Sequence, residues 1–163
     1  DGILEVCRAM GADITVEQTN VRTGEPSADI TVRTSILHGT TIEGAIIPKL
    51  IDELPILAVL ACFADGTTVI RDAQELKVKE SNRIDIMVRY LSAMGADIEG
   101  TKDGMIIRGG RPLHGASIDS SLDHRIAMSF AIAALNAEGD TEITGAEVVN
   151  ISYPEFYQDL ERL

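Results

Sequence analysis

Two short charged segments, Lys77-Val78-Lys79-Glu80-Ser81-Asn82-Arg83 and Asp123-His124-Arg125, hold the residue types that bind anions and move protons. Each precedes a run that reads as a helix. Lys79, Glu80 and Arg83 stand at i, i+1 and i+4, so on a helix start Lys79 and Arg83 share a face with Glu80 beside them. Taken alone, that spacing describes an exposed first turn with an ordinary ion pair, worth under about 1 kcal/mol. Arg125 is harder to set aside. It precedes a nearly all-apolar run at 126–135, so its charge needs a partner, and Asp123 is the nearest candidate as well as an adequate N-cap. Asp52 precedes a second apolar run at 56–64 and by itself reads as another N-cap. His124 is ambiguous, whereas His38 and His114 recur within Leu-His-Gly blocks and read as structural. Cations at helix starts suit a small, multiply negative ligand, because a helix N-terminus adds partial positive charge and free N–H groups.

The rest of the composition narrows the ligand. The chain has 163 residues, enough for one domain with a sizeable core, and a net charge of -12. That balance argues against a nucleic acid groove or an anionic membrane surface, both of which call for a basic face. No apolar run reaches the ~18 residues of a membrane span. Cys7 and Cys62 are far apart and form no metal spacing, so they read as reduced thiols of a cytoplasmic protein. Asp1 falls within an apparent helix, and the chain reads as part of something longer.

The elements that must position these residues come in two copies. Met10-Gly11-Ala12-Asp13-Ile14 recurs verbatim as Met94-Gly95-Ala96-Asp97-Ile98, and Leu37-His38-Gly39 recurs as Leu113-His114-Gly115. Residues 58–66 match 131–139 in pattern. Each unit reads as a helix (about 3–10, then 83–94) stopped by glycine, alternating strands (29–33 and 104–108), a second helix beginning near Asp52 or Asp123, and a closing strand (67–71 and 141–144). The second helices have almost no polar face, so burial on all sides is expected, with the helices inside and sheet around them. The fold class is therefore α/β, built as repeated βαβαββ-type units. Carrying the register back from Ala58 and Ala131 sets Asp52 opposite Arg125, an acid and a base at equivalent positions. A purely structural cap has little reason to change sign.

Three stretches together resemble one family. Ile51-Asp52-Glu53-Leu54-Pro55-Ile56-Leu57-Ala58, the segment from Leu76 through Arg83, and Asp123-His124-Arg125-Ile126-Ala127-Met128 resemble the C-terminal part of the 5-enolpyruvylshikimate-3-phosphate synthases. Ser152-Tyr153-Pro154-Glu155-Phe156-Tyr157 is similar to the C-terminus of that family. The resemblance implies two domains, each of three similar α/β units with internal helices in an inside-out, barrel-like arrangement. Residues 1–163 would form a single domain piece, about two repeats of one such domain, with the N-terminal part of the enzyme as its partner.

The resemblance further implies transfer of the enolpyruvyl group of phosphoenolpyruvate to the 5-hydroxyl of shikimate 3-phosphate, with release of phosphate. It implies no metal or organic cofactor. Adding an alcohol across an enol ether requires a base for the hydroxyl proton and an acid for the methylene carbon. Asp52 matches the family's general base, and Glu80 matches a residue implicated in proton transfer. Lys79 matches a ligand of the shikimate-side substrate that assists charge development. Arg83 and Arg125 match the arginines that bind phosphoenolpyruvate, a role suited to forked guanidiniums, and His124 lies beside that site. The chain departs from some members at Ile151, where they carry a lysine. Two rival readings are the related transferase acting on a UDP-linked amino sugar and a non-catalytic anion-binding module.

Overall fold

The computed structural model describes residues 2–19 and 27–162 of the chain. The first unit opens with helix α1 (Gly2–Ala9), followed by β1 (Asp13–Thr19) and β2 (Ser27–Arg33). Strand β3 (Thr41–Ile42) leads through a 3-10 turn into α2 (Ile47–Leu50), α3 (Leu54–Cys62) and β4 (Thr67–Ile70). The second unit repeats the plan. After a 3-10 turn at Gln74–Val78 come α4 (Arg83–Ala93), β5 (Asp97–Gly100), β6 (Met105–Arg108), β7 (Leu113–His114), β8 (Ser117–Asp119) and α5 (His124–Ala134). Then β9 (Ala137–Glu138), β10 (Glu142–Thr144), a 3-10 turn at Ala146–Ile151 and α6 (Phe156–Arg162) close the chain. Taken from β3, the order β3, α2 with α3, β4, α4, β5, β6 is the expected βαβαββ unit, and its four strands form one sheet.

The repeat holds to the level of single hydrogen bonds. Gly11 and Gly95 take φ of +93° and +97°, the left-handed conformation that ends a helix without a Cβ penalty. Beyond them, Ala12 N–H donates to Cys7 O and Ala96 N–H to Leu91 O, each at 2.9 Å. His38 and His114 N–H then donate to Met10 O and Met94 O, each at 2.8 Å. Strands β3 and β4 run parallel, as do β8 and β10.

One sheet, in the order β3-β4-β6-β5, joins the two units through the antiparallel β4–β6 pair. At Gly104 the strands approach so closely that a Cβ would collide with the Ile70 carbonyl. Helices α3 and α5 lie in the interior. Leu54, Leu57, Ala58 and Ala61 of α3 are buried with Ile126, Phe130 and Ala133 of α5, and Tyr90 of α4 meets the Phe130 ring edge-on at 5.8 Å. Burial is not complete on all sides. Ile56 and Leu60 of α3, and Met128 and Ile132 of α5, are only half-buried. No helix among the described residues is long and apolar enough to cross a membrane.

Candidate active site

Arg83 is the centre of the charged segments, and its own position follows from a local cap. The Asn82 side chain accepts from Asp85 N–H at 3.2 Å, which starts α4 at Arg83. Lys79 and Glu80 therefore lie ahead of the helix. Lys79 is extended and follows the 3-10 turn at Gln74–Val78, so the helical face expected to join Lys79 with Arg83 does not exist. A tertiary arrangement brings them together instead.

The Arg83 side chain is 1% exposed, and all three of its nitrogens donate to carboxylates. Nε donates to Asp123 Oδ2 at 2.9 Å, and Nη2 reaches Asp123 Oδ1 at 3.3 Å. Nη1 donates to Asp52 Oδ1 at 2.9 Å, and Nη2 to Glu80 Oε2 at 2.7 Å. Asp123 is 0% exposed and doubly engaged. It accepts from Ser81 Oγ at 2.8 Å and caps α5 through the N–H groups of Arg125 and Ile126 at 2.9 and 3.4 Å. A buried carboxylate so fully bonded is held in one orientation, and it fastens the loop before α4 to the nose of α5.

Asp52 does not cap α3. Glu53 occupies the N-cap position, without a side-chain capping bond, while Asp52 sits in the preceding turn and faces Arg83. Lys79 Nζ lies 3.5 Å from Asp52 Oδ1 and 2.8 Å from Glu75 Oε1. Arg125 pairs with Glu53 at 3.3 Å, not with Asp123, whose oxygens are taken by Arg83 and the backbone. His124, the first residue of α5, is partly exposed beside Asp123. Residues 52, 79, 80, 83, 124 and 125 are thus gathered in one region. The α5 N–H groups expected to be free for an anion are partly consumed by Asp123.

These neighbours set the protonation. Burial pushes the Asp52 carboxyl up, but the Arg83 hydrogen bond and the charges of Lys79, Arg83 and Arg125 outweigh it and hold it below the usual carboxylate range. Asp123 is likewise pushed up by burial and brought net below its ordinary value by Arg83 and Ser81. The hydrogen bond to Glu75 is the leading cause that raises Lys79. Both aspartates are anions at neutral pH, and Lys79 is a cation.

Asp52 and Arg125 also line a groove of about 270 Å³ whose other walls include Ile56, Met128, Tyr153 and Phe156. It runs along the half-buried stripe of α3 and α5, and Tyr153 and Phe156 meet edge-on beside it at 5.7 Å. Ile151 is 74% exposed at the end of the preceding 3-10 turn and brings no charge to the groove. Sequence reasoning reached Asp123 as an N-cap, which it is, and as a partner for Arg125, which it is not, and missed Ser81, Glu53 and Glu75. The signal for Asp123 was present, since an N-cap ahead of a buried helix is itself drawn inside.

The chain as a whole is similar to known proteins. The family model described as EPSP synthase (3-phosphoshikimate 1-carboxyvinyltransferase) matches residues 1–160. A curated 3-phosphoshikimate 1-carboxyvinyltransferase of Roseiflexus castenholzii is 56% identical over 162 residues, covering 99% of this chain and 38% of the relative. A solved EPSP synthase from Acinetobacter baumannii superposes with a TM-score of 0.94 at 43% identity, covering 99% of this chain and 38% of that one. The enolpyruvyl transferase NikO from Streptomyces tendae shares the fold, with a TM-score of 0.72 at 22% identity. The chain spans 38% of the length of the first of these curated relatives.

Proposed function

We propose that this chain, which belongs to the EPSP synthase family, is the C-terminal portion of an enzyme that moves the enolpyruvyl group of phosphoenolpyruvate onto the 5-hydroxyl of shikimate 3-phosphate. Phosphate leaves in the same overall reaction, in the cytoplasm. The observation that carries this reading is the sharing of one guanidinium. Asp52 and Glu80 accept from Nη1 and Nη2 of Arg83, which fixes a candidate base and a candidate acid side by side.

In this reading Asp52 takes the hydroxyl proton as the substrate oxygen attacks the enol carbon, and the methylene carbon gains a proton through Glu80. A tetrahedral adduct results. Phosphate then leaves with the proton that Asp52 took, and one methyl proton returns to Glu80, so both carboxyl groups are restored and atoms and charge balance. Arg83 and Arg125 hold the carboxylate and phosphate of the donor, Lys79 holds the acceptor, and His124 borders the donor site. Five carboxylates already surround the three cations Lys79, Arg83 and Arg125, so an incoming anion takes the place of a carboxylate partner. Moving Arg83 or Lys79 away from Asp52 removes the charges that hold its pKa down, which makes it a stronger base when substrate is bound. The remainder of the polypeptide supplies the opposite wall of the site, and residues 1–163 form part of one domain.

The test is a coupled phosphate-release assay with both substrates. Asp52→Ala and Glu80→Ala in the full-length polypeptide are expected to lose turnover while retaining the circular dichroism of the parent. The 163-residue chain alone is expected to show none. Normal turnover in both variants, or sustained turnover by the isolated chain, overturns the reading. Activity with UDP-N-acetylglucosamine in place of shikimate 3-phosphate would assign the chain to the amino-sugar branch instead.

A further inference from the structure

Equivalent positions in the two units expose one residue that the scaffold alone does not call for. The register that sets Asp52 against Arg125 sets Glu53 against Ile126, which is 0% exposed in the core. Glu53 holds the N-cap position of α3 without a side-chain capping bond, whereas Asp123 caps the nose of α5 with its carboxylate. The Glu53 carboxylate goes elsewhere. It accepts from Arg125 Nη1 at 3.3 Å, at a sequence separation of 72. That contact joins the noses of α3 and α5 beside the groove that Arg125 lines.

The carboxylates around the site's cations differ in what they lose by letting go. Asp123 is 0% exposed, so release would strand it away from water. Asp52 and Glu80 share Arg83, which is 1% exposed and bonded through all three nitrogens. They are also the base and the acid of the proposed reaction. Glu53 and Arg125 are each one-third exposed and meet through a single bond. Water replaces that bond on release, and neither reacting carboxylate has to move.

We propose that Glu53 is the resident anion of the donor site, a positioning residue that occupies Arg125 until the donor's own phosphate or carboxylate displaces it. The inference rests on the functional reading given above. A guanidinium fork meets a phosphate or carboxylate through two parallel bonds, which a partner held by one nitrogen does not match. The incoming group has to out-bond one carboxylate before it is held, so Glu53 sets donor affinity and a minimum of negative charge. Release leaves the freed carboxylate at the N-terminus of α3, where partial positive charge favours it. The exchange also reaches the base. Burial pushes the Asp52 carboxyl up, and Arg125 is one of the charges that hold it down. An anion on that guanidinium offsets its charge, so donor entry and base strength are linked through one side chain.

Steady-state phosphate release by the full-length polypeptide tests the proposal, with phosphoenolpyruvate and shikimate 3-phosphate varied in turn and circular dichroism as the check on folding. Glu53→Gln removes the charge and is expected to lower KM for phosphoenolpyruvate roughly two- to fivefold, the range of an exposed ion pair. KM for shikimate 3-phosphate is expected to hold. The effect is expected in KM and not in kcat, a split that partial loss of the fold would not give. Glu53→Asp keeps the charge but draws it back from Nη1, and KM for phosphoenolpyruvate is expected to fall there too. An unchanged or raised KM in Glu53→Gln overturns the proposal and makes Glu53 a support for Arg125. A fall confined to Glu53→Gln also overturns it, because net charge rather than the contact would then be the cause. A parent without turnover overturns the functional reading and this inference together, whereas either result against an active parent overturns this inference alone.

Discussion

Replacing Arg83 by methionine separates the two roles a buried arginine can have. The substitution keeps the apolar stem and removes the charge from between Asp123, Asp52 and Glu80. Asp52 and Glu80 are 42% and 49% exposed, so water replaces what they lose. Asp123 is 0% exposed and keeps only Ser81 Oγ and two backbone N–H groups. Removing one partner of a buried pair costs about 3–5 kcal/mol. Glu80→Gln breaks a half-exposed pair with the same guanidinium and costs under about 1 kcal/mol. With a urea m-value of about 2 kcal/mol/M, the midpoint falls by roughly 1.5–2.5 M for Arg83→Met and by less than about 0.5 M for Glu80→Gln. Equilibrium urea unfolding followed by far-UV circular dichroism measures both, and m must be unchanged. Combined with Asp123→Asn, Arg83→Met should cost at least ~1 kcal/mol less than the sum of the single changes, because the orphaned charge is gone. Equal midpoint shifts for Arg83→Met and Glu80→Gln, or strict additivity with Asp123→Asn, would refute the hub.

Two further outcomes follow from protonation. The folded-state pKa of Asp123 lies below its unfolded value of about 3.9, so its contribution to stability is complete above that value and is lost as pH falls through the folded pKa. The urea midpoint should therefore decline below about pH 4, and decline less steeply in Asp123→Asn; parallel pH curves for the two proteins would contradict this. Burial pushes the Cys62 thiol up to about 12, and it donates to Ala58 O at 3.3 Å. Ellman's reagent at neutral pH should label Cys62 only as fast as the chain opens, with urea releasing the full signal. Rapid labelling of both thiols in the folded chain would show the core to be open there.

What could be read from the sequence was local. The verbatim Met-Gly-Ala-Asp-Ile blocks mark helix stops because a glycine at C′ is decided within one turn, and both stops stand where expected. Strand positions at 29–33 and 104–108 were legible from alternation, and 67–71 as the run that follows a glycine stop, and each overlaps an observed strand. The identity of the charged residues was legible too, but not their partners. Arg83 meets Asp52 and Asp123 at sequence separations of 31 and 40, and no local spacing encodes which carboxylate arrives. The i, i+4 reading of Lys79 and Arg83 failed because Asn82 caps α4 and leaves Lys79 outside it. The apolar second helices announced burial, but pattern cannot say how many neighbours are there to provide it.

Asp52 and Arg125, opposite in sign at equivalent positions, also differ in backbone setting. Arg125 lies in the first turn of α5, because Asp123 caps the helix ahead of it. Asp52 lies outside α3, and Pro55 accounts for the difference. A residue at that place would ordinarily donate its N–H to Ile51 O and continue α2 into α3. Proline has no N–H, so the run breaks between Leu50 and Leu54, and Glu53 N–H bonds back to Leu50 O at 3.0 Å in a tighter turn. Asp52, in the turn between the two helices, lies within reach of Arg83 Nη1 and Lys79 Nζ. In the second unit no proline intervenes, the helix starts earlier, and the equivalent side chain projects from a helical turn beside the same groove. One proline and one capping aspartate thus give the acid and the base at equivalent positions different backbone settings, while both line the same groove.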